Sequence, residues 1–372
     1  MKRIALTATA VAAAAALALA GCASGERGGS DAGSSESAGF PADSTIGVAL
    51  PDKTSENWVL AGGLFESGLK DAGFKPDVQY APASNTVAEQ QNQISAMITN
   101  GAKVIVIGAK DGKQLGTQLQ QAADAGVKII AYDRLLENTE NVDYYVAFDN
   151  FKVGQLQGEA LLEGLAARSG HDAPWNIELF SGSPDDANSA VFFNGAMDVL
   201  QPKIDDGTLV VASGQTEIAQ TATEGWLAEN AQSRMDSLLT STYGDKEIDG
   251  VLSPNDTLAR AILTSAQQAG KDVTKITVTG QDSEVESVKS IMDGIQYSTI
   301  NKDTTLLVEQ TIKMIEQLQK GEEVDVNDTE QYDNGVKVVP AYLLDPVIVT
   351  KENAAEAYAN NPNLLEIVNA AG

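Results

Sequence analysis

From Thr45 onward, short apolar runs alternate with longer stretches in which apolar residues recur at helical spacing. Thr45-Ile-Gly-Val-Ala-Leu50 predicts a strand, followed by a helix to about Gly73. Lys75–Tyr80 reads as extended, Val87–Asn100 as a helix, and Val104–Ile107 as a buried strand. A helix to Gly126 and a strand over Val127–Ala131 continue the alternation. The second half predicts strands at Asn176–Phe180, Leu209–Ala212, Gly250–Leu252 and Ile276–Thr279. Helices fall near 152–168, 187–200, 220–240, 256–269 and 284–293, with Lys302–Lys320 a further helix and Val336–Val349 extended. Apolar runs bounded by glycine and separated by amphipathic helices indicate βαβ units and parallel sheets. Three helices close on Ala-Gly, at Gly73, Gly126 and Gly270, where glycine suits a left-handed residue that ends a helix.

The fold class this predicts is α/β, with two doubly wound parallel-sheet lobes. About nine strands are too many for one compact doubly wound sheet of ordinary size. A TIM barrel alternates in the same way and stands as the competing architecture.

The first 44 residues break the pattern. Met1-Lys2-Arg3 is a basic start, and Ile4 to Ala20 is apolar or small apart from Thr7 and Thr9. That arrangement predicts a secretion signal over 1–21. Its alanine-rich run is weakly hydrophobic for a membrane span of about 20 residues. The run ends Leu19-Ala20-Gly21-Cys22, similar to the box at which bacterial lipoproteins are cleaved and lipidated on cysteine. Acyl chains on Cys22 would anchor the chain to a membrane face. Residues 22–44, rich in Gly, Ser, Ala and Asp, read as a flexible linker with a reach of roughly 25 Å.

Composition removes several function classes. With 25 basic against 52 acidic residues the net charge is −27, which argues against nucleic acid or an anionic lipid surface as partner. One cysteine and one histidine give neither an internal disulfide nor a usual zinc cluster, so no metal and no cofactor are expected.

The motif search is mostly negative. Gly108-Ala-Lys-Asp-Gly112-Lys113-Gln114 has one residue too few between its glycines, and Gln stands where a phosphate loop needs Ser or Thr. No Gly-x-Gly-x-x-Gly follows the first strand, and no Gly-x-Ser-x-Gly elbow occurs. His171 lies in a loop-like Ser169-Gly-His-Asp-Ala run and reads as a solvated residue. Asp325-Val-Asn327-Asp328 lacks the glycine and spaced glutamate of a calcium loop.

Chemistry gathers instead where strands end, which is where open α/β sheets bind ligands. Tyr132-Asp133-Arg134 follows one strand, and Ser181 to Asn188, with Asp185 and Asp186, follows another. Ser253-Pro-Asn255-Asp256, Gly280-Gln281-Asp282 and Asn301-Lys302-Asp303 complete the set. Each run also suits a helix N-cap. Together with Trp58 and Trp226 they suit a sugar, because carboxylates, amides and a guanidinium bond hydroxyls while indoles cover C–H faces.

Several segments carry a resemblance. Val127-Lys-Ile-Ile-Ala-Tyr-Asp-Arg134, Asn141-Val-Asp-Tyr-Tyr145, Phe148-Asp-Asn-Phe151, Asn176-Ile-Glu-Leu-Phe180, Gly182-Ser-Pro-Asp-Asp186 and Asn194-Gly-Ala-Met197 are among them. Gly280-Gln-Asp282 and Tyr332-Asp-Asn-Gly-Val-Lys-Val-Val-Pro340 extend it. The chain resembles the type I periplasmic monosaccharide-binding proteins of bacterial ABC importers, in the ribose, xylose and multiple-sugar branch. The likeness runs from Thr45 to about Val349.

The resemblance implies two lobes joined by three crossovers, near Phe148–Asn150, Asn301–Asp303 and Val336–Val339, closing on one sugar. The N-terminal lobe would hold 45–148 plus 303–336, and the C-terminal lobe 149–301 plus 337–372. Sugar contacts would fall on Trp58, Asp133, Arg134, Asp186, Asn188, Trp226, Asn255, Asp282 and Lys302. One position departs: the family often has Arg before the first tryptophan, where this chain has Asn57. The implied partners are a monosaccharide of the xylose, glucose or galactose type, ABC permease subunits with their ATPase, a membrane reached through the lipid, and a membrane sensor. A monomer without catalytic activity is expected. A repressor of related fold would need a basic helix-turn-helix before the first strand. A sugar-modifying enzyme would need better spaced carboxylates than the adjacent Asp185 and Asp186. A protein of this fold binding a furanose signal molecule keeps the same frame.

Overall fold

The computed structural model describes residues 39–53, 55–82 and 87–371, so the expected signal segment, Cys22 and most of the linker lie outside the described residues. In chain order come β1 (Thr45–Leu50), α1 (Glu56–Asp71), β2 (Lys75–Tyr80), α2 (Val87–Thr99) and β3 (Val104–Ile107). Next are α3 (Gly116–Asp124), β4 (Lys128–Tyr132), β5 (Tyr144–Phe148), α4 (Asn150–Arg168) and β6 (Trp175–Leu179). The chain continues through α5 (Ala187–Asp205), β7 (Leu209–Val211), α6 (Ile218–Thr221), α7 (Ala228–Ser241), β8 (Gly250–Leu252) and α8 (Asp256–Gln268). Then come β9 (Thr277–Val278), α9 (Val285–Met292), β10 (Ser298–Asn301) and α10 (Thr304–Lys320). It ends with β11 (Ala341–Leu344), β12 (Val347–Thr350), α11 (Ala354–Ala357) and α12 (Pro362–Ala371).

Among the described residues, six strands form one sheet in the order β11-β5-β4-β3-β1-β2, parallel throughout. Four form a second parallel sheet, β7-β6-β8-β9, and β10 pairs antiparallel with β12. Open sheets of this kind exclude the TIM barrel. In the first sheet, side chains alternate between two cores, as the two-residue period of a strand requires. Ile105, Ile107, Ile129 and Ala131 meet Ile94 and Met97 of α2 and Leu119 of α3. Val104, Val106, Ile130 and Tyr132 meet Phe65 of α1 and Met314 of α10. Helices therefore cover both faces, which is why β3 can be apolar and buried at every position. The second sheet is covered likewise, by α7 and α8 on one face and by α4 and α5 on the other.

The chain leaves the first sheet after Phe148 and enters α4 through Asp149, whose carboxylate accepts from Lys152 N. It returns after β10 through Asp303, which caps α10 by accepting from Thr305 N. The third crossover differs from expectation. β11 pairs with β5, so the first sheet keeps the chain through Leu344 and releases it at Asp345-Pro346, beyond Val336–Val339. The sequence predicts one extended element over Val336–Val349. Val336 and Val338 are instead exposed, 47% and 39%, and the buried part begins at Val339.

Four further elements depart from the pattern. β5 and β10 carried no distinct prediction, since β5 directly abuts the helix that follows. The helix expected at 220–240 is broken into α6, a short 3-10 turn at Glu224–Trp226, and α7. Gly225 and Trp226 take positive φ there, so no helix can run through. The helix expected from Lys302 begins at Thr304, which frees Lys302 from the ladder. The three Ala-Gly endings adopt the left-handed conformation, with φ of 89° at Gly73, 70° at Gly126 and 78° at Gly270.

Helices α4 and α5 approach so closely that glycine is required at their contact. A Cβ on Gly154 would overlap the Phe192 carbonyl, and one on Gly195 would overlap the Phe151 carbonyl. Overpacking of this kind costs about 1–3 kcal/mol. Gly154→Ala and Gly195→Ala should each destabilise by about that amount, read as a lower urea midpoint with an unchanged slope.

Candidate functional site

The carboxyl ends of both large sheets face one cleft of about 360 Å³, lined by residues of both lobes. All nine sequence-predicted contact residues line it. Trp58, Asp133 and Arg134 come from the lobe of the first sheet. Asp186, Asn188, Trp226, Asn255 and Asp282 come from the other, and Lys302 stands at a crossover.

Backbone geometry at the site is unusual. Among the described residues five non-glycine residues have positive φ, and three of them are Asp133 (61°), Trp226 (55°) and Asp282 (95°). Such conformations disfavour residues with a Cβ and persist only where their surroundings hold them. The surroundings here are hydrogen bonds. The Asp133 carbonyl accepts from Tyr145 Oη at 2.7 Å and from Asn188 Nδ2 at 2.7 Å. Asp282 N donates to the Ile300 carbonyl at 2.9 Å, tying its turn to β10.

Each cation of the cleft is paired with an aspartate. Arg134 Nε lies 3.1 Å from Asp186 Oδ2, and its guanidinium also reaches the Ala109 carbonyl at 3.1 Å and stands 5.5 Å from the Trp58 ring. Asp186 caps α5 through Asn188 N and accepts from Trp226 Nε1 at 3.2 Å. Burial pushes the Asp186 carboxyl up, the Arg134 guanidinium opposes that, and Asp133 adds to the rise. Lys302 is 9% exposed, with Nζ 3.1 Å from Asp282 and 3.9 Å from Asp133. Burial works against its charge, but Asp282 and Asp133 outweigh burial, so the ammonium is held above the usual lysine value. Lys110 pairs with Asp52 at 3.1 Å.

Both indoles rest against glycine. A Cβ on Gly108 would come within 2.9 Å of the Trp58 ring, and one on Gly182 would fall inside the Trp226 ring. The third tryptophan, Trp175, lies on β6 and gives its Nε1 to Ser169 Oγ at 3.0 Å, away from the cleft lining. Asn255 caps α8 by accepting from Leu258 N at 2.9 Å, so capping and cleft lining coincide in one residue. Asn57 lines the cleft as well, its Oδ1 accepting from Thr304 Oγ1 at 3.5 Å.

The nine predicted contacts leave out Lys110 and Phe192, which also line the cleft, and Gln281, which the sequence places only among the strand-end groups. Lys110 belongs to the Gly108–Gln114 run that does not fit a phosphate loop, and that run forms the turn after β3. Gln281 adjoins Asp282, so proximity in sequence is a usable signal. Phe192, on α5 and 5.5 Å from Lys302 Nζ, looks like any core phenylalanine in sequence. No group of three or more potential metal ligands occurs among the described residues, and Asp325 is committed to Lys313. No helix among the described residues is long and apolar enough to cross a membrane.

Two open α/β lobes joined at crossovers around a polar, tryptophan-bearing cleft define a ligand-binding protein of the type I periplasmic fold. The chain belongs to the periplasmic binding protein domain family, whose model matches residues 46–323. It is 49% identical to the multiple sugar-binding periplasmic receptor ChvE of Rhizobium radiobacter, over 84% of this chain and 89% of that protein. It is 34% identical to the D-xylose-binding periplasmic protein of Escherichia coli, over 83% of this chain and 87% of that protein. Among solved structures, an ABC transporter solute binding protein from Clostridium phytofermentans with bound β-D-glucose matches with a TM-score of 0.81 and 42% identity. The match covers 86% of this chain and 99% of that one.

The lone histidine lies outside the cleft. His171 Nε2 is 2.9 Å from Asp249 Oδ1 and Nδ1 is 2.8 Å from the Asp172 carbonyl. The Asp172 carbonyl, first, and Asp249, second, raise its pKa above the ordinary 6.5. The folded state therefore binds this proton more tightly than the unfolded chain. The resulting stabilisation is complete below the unfolded value and is lost as pH rises through the folded one. Replacing His171 by Asn should lower the melting temperature at about pH 5.5 and leave it nearly unchanged at about pH 8.5. An equal effect at both pH values would contradict this assignment.

Proposed function

We propose that the protein is the substrate-binding component of a bacterial ABC importer and binds an aldopyranose in the interlobe cleft. The observation that carries this reading is that the cations of the cleft, Arg134, Lys302 and Lys110, each sit within 3.1 Å of an aspartate. An anionic ligand would have to displace one of these carboxylates. A neutral polyol would use their remaining lone pairs as acceptors, and the indoles of Trp58 and Trp226 would cover its C–H faces. The sugar-binding relatives and the glucose-bound structure support the same class of ligand.

Binding on one lobe is completed when closure brings up the groups of the other. The ligand thus shifts a hinge equilibrium by its extra contacts in the closed form, which the permease would recognise. No bond is made or broken in this scheme. Cys22, lipidated after cleavage of residues 1–21, would hold the body at the outer face of the membrane within reach of its permease.

D-glucose and D-xylose should raise the melting temperature in proportion to RT ln(1 + [L]/Kd), and incubation with labelled sugar should return it unaltered. Asp282→Ala and Asn255→Ala should each weaken binding about tenfold or more, because cleft groups would lose their partners. Unchanged calorimetric titrations for both would refute the site. Cys22→Ala should abolish acyl labelling and release the protein from the membrane fraction. Retention there would refute the anchor.

A further inference from the structure

Behind the cleft, four buried residues form a network in which two, Tyr145 and Asn188, donate to one carbonyl, that of Asp133. Tyr145 on β5 is fully buried and is absent from the cleft lining, so it touches no ligand there. Its ring packs edge-on against Tyr332 at 4.9 Å. Its hydroxyl donates to the Asp133 carbonyl at 2.7 Å and lies 3.3 Å from Asn188 Oδ1. The same oxygen accepts from Nδ2 of Asn150, which follows the first crossover. Asn150 N donates in turn to Tyr332 Oη at 3.4 Å.

A phenol has one proton, and the 2.7 Å contact assigns it to the Asp133 carbonyl. That carbonyl belongs to a residue at φ 61°, a conformation that needs support, and Asp133 precedes Arg134 in the cleft. Of its two donors, Asn188 belongs to α5 of the second lobe and moves with it. Tyr145 belongs to β5, the neighbour of β4, and stays with Asp133 in any arrangement of the lobes.

We propose that Tyr145 is a positioning residue for ligand binding. Its hydroxyl holds Asp133 and Arg134 in their binding conformation before the lobes close, and it links that conformation to Asn150 at the crossover. Closure then adds Asn188 to a carbonyl that is already in place. This inference rests on the sugar-binding reading above.

The test is Tyr145→Phe, which keeps the ring and its packing on Tyr332 while removing the one hydroxyl. Titration calorimetry with D-glucose and D-xylose should show affinity weakened about five- to tenfold, the scale of one lost hydrogen bond. A packing role alone would lower the melting temperature and leave the affinity of the folded protein unchanged. Tyr332→Phe, which removes a hydroxyl bonded to the crossover but not to Asp133, should keep affinity within about twofold. Should Tyr145→Phe fail to fold, Asn150→Ala removes the amide that fixes the phenol and should also weaken binding. Affinity for Tyr145→Phe within about twofold of the unaltered protein, or an equal loss in Tyr332→Phe, overturns the inference. Failure of the unaltered protein to bind either sugar refutes the reading of the site instead.

Discussion

The arrangement of the cleft depends on the burial of Lys302. An ammonium removed from water is costly unless carboxylates and hydrogen bonds replace its hydration. Here the replacements come from two directions, Asp282 in the second lobe and Asp133 in the first. Lys302 itself lies between β10 and α10, where the chain passes from one lobe to the other. Its electrostatics therefore follow the opening of the cleft. With the lobes together both carboxylates serve it, whereas separation exchanges one of them for water. Arg134 and Asp186 form a second such pair across the gap, with side chains 14% and 4% exposed. Breaking a buried pair by removing one partner costs far more than the pair contributes when intact. The cleft thus has preformed charges whose geometry the fold must supply.

That geometry is obtained by placing strained residues on rigid supports. Asp133, Trp226 and Asp282 all have positive φ, and each sits just beyond a regular element or in a short turn between helices. The supports are unforgiving. Gly280, which precedes Gln281 and Asp282, packs so tightly that a Cβ would overlap the Asp256 carboxylate. Asp256 is fully buried, accepting from Gln296, Thr299 and the Glu284 backbone, and burial drives its carboxyl well up. A side chain of this kind has no access to solvent or ligand. Its bonds hold the turn that aims Asp282 at Lys302.

Much of this was legible in sequence for identifiable reasons. Val104-Ile-Val-Ile107 could only be a strand buried on both faces, and the Ala-Gly pairs marked helix ends because glycine alone takes that conformation cheaply. The cleft residues were legible because parallel sheets gather their carboxyl ends, so polar residues after strands had to converge. What stayed hidden depended on tertiary partners. β5 is a strand because β4 and β11 flank it, and β11 separates from the exposed Val336–Val338 only through its pairing with β5. The only local sign of the break at Trp226 is Gly225, and an isolated glycine is tolerated in a helical pattern; the indole is pinned by Gly182 and Asp186. Tyr145 carries no signal of its role, since nothing in sequence shows where a buried hydroxyl points.

The net charge of −27 would suggest an acidic cleft and a cationic ligand if the charge were spread evenly. The cleft lining holds six carboxylates against three cations, but each cation has an aspartate beside it, so three of these acids are committed to ion pairs and most of the excess acid lies elsewhere. Acid on the surface is repelled by anionic lipid over about a Debye length, so electrostatic adhesion to the membrane would not bring the body beside a permease. The lipid proposed on Cys22 would supply that attachment instead, and the acidity of the body and the lone cysteine would then belong to one physical arrangement.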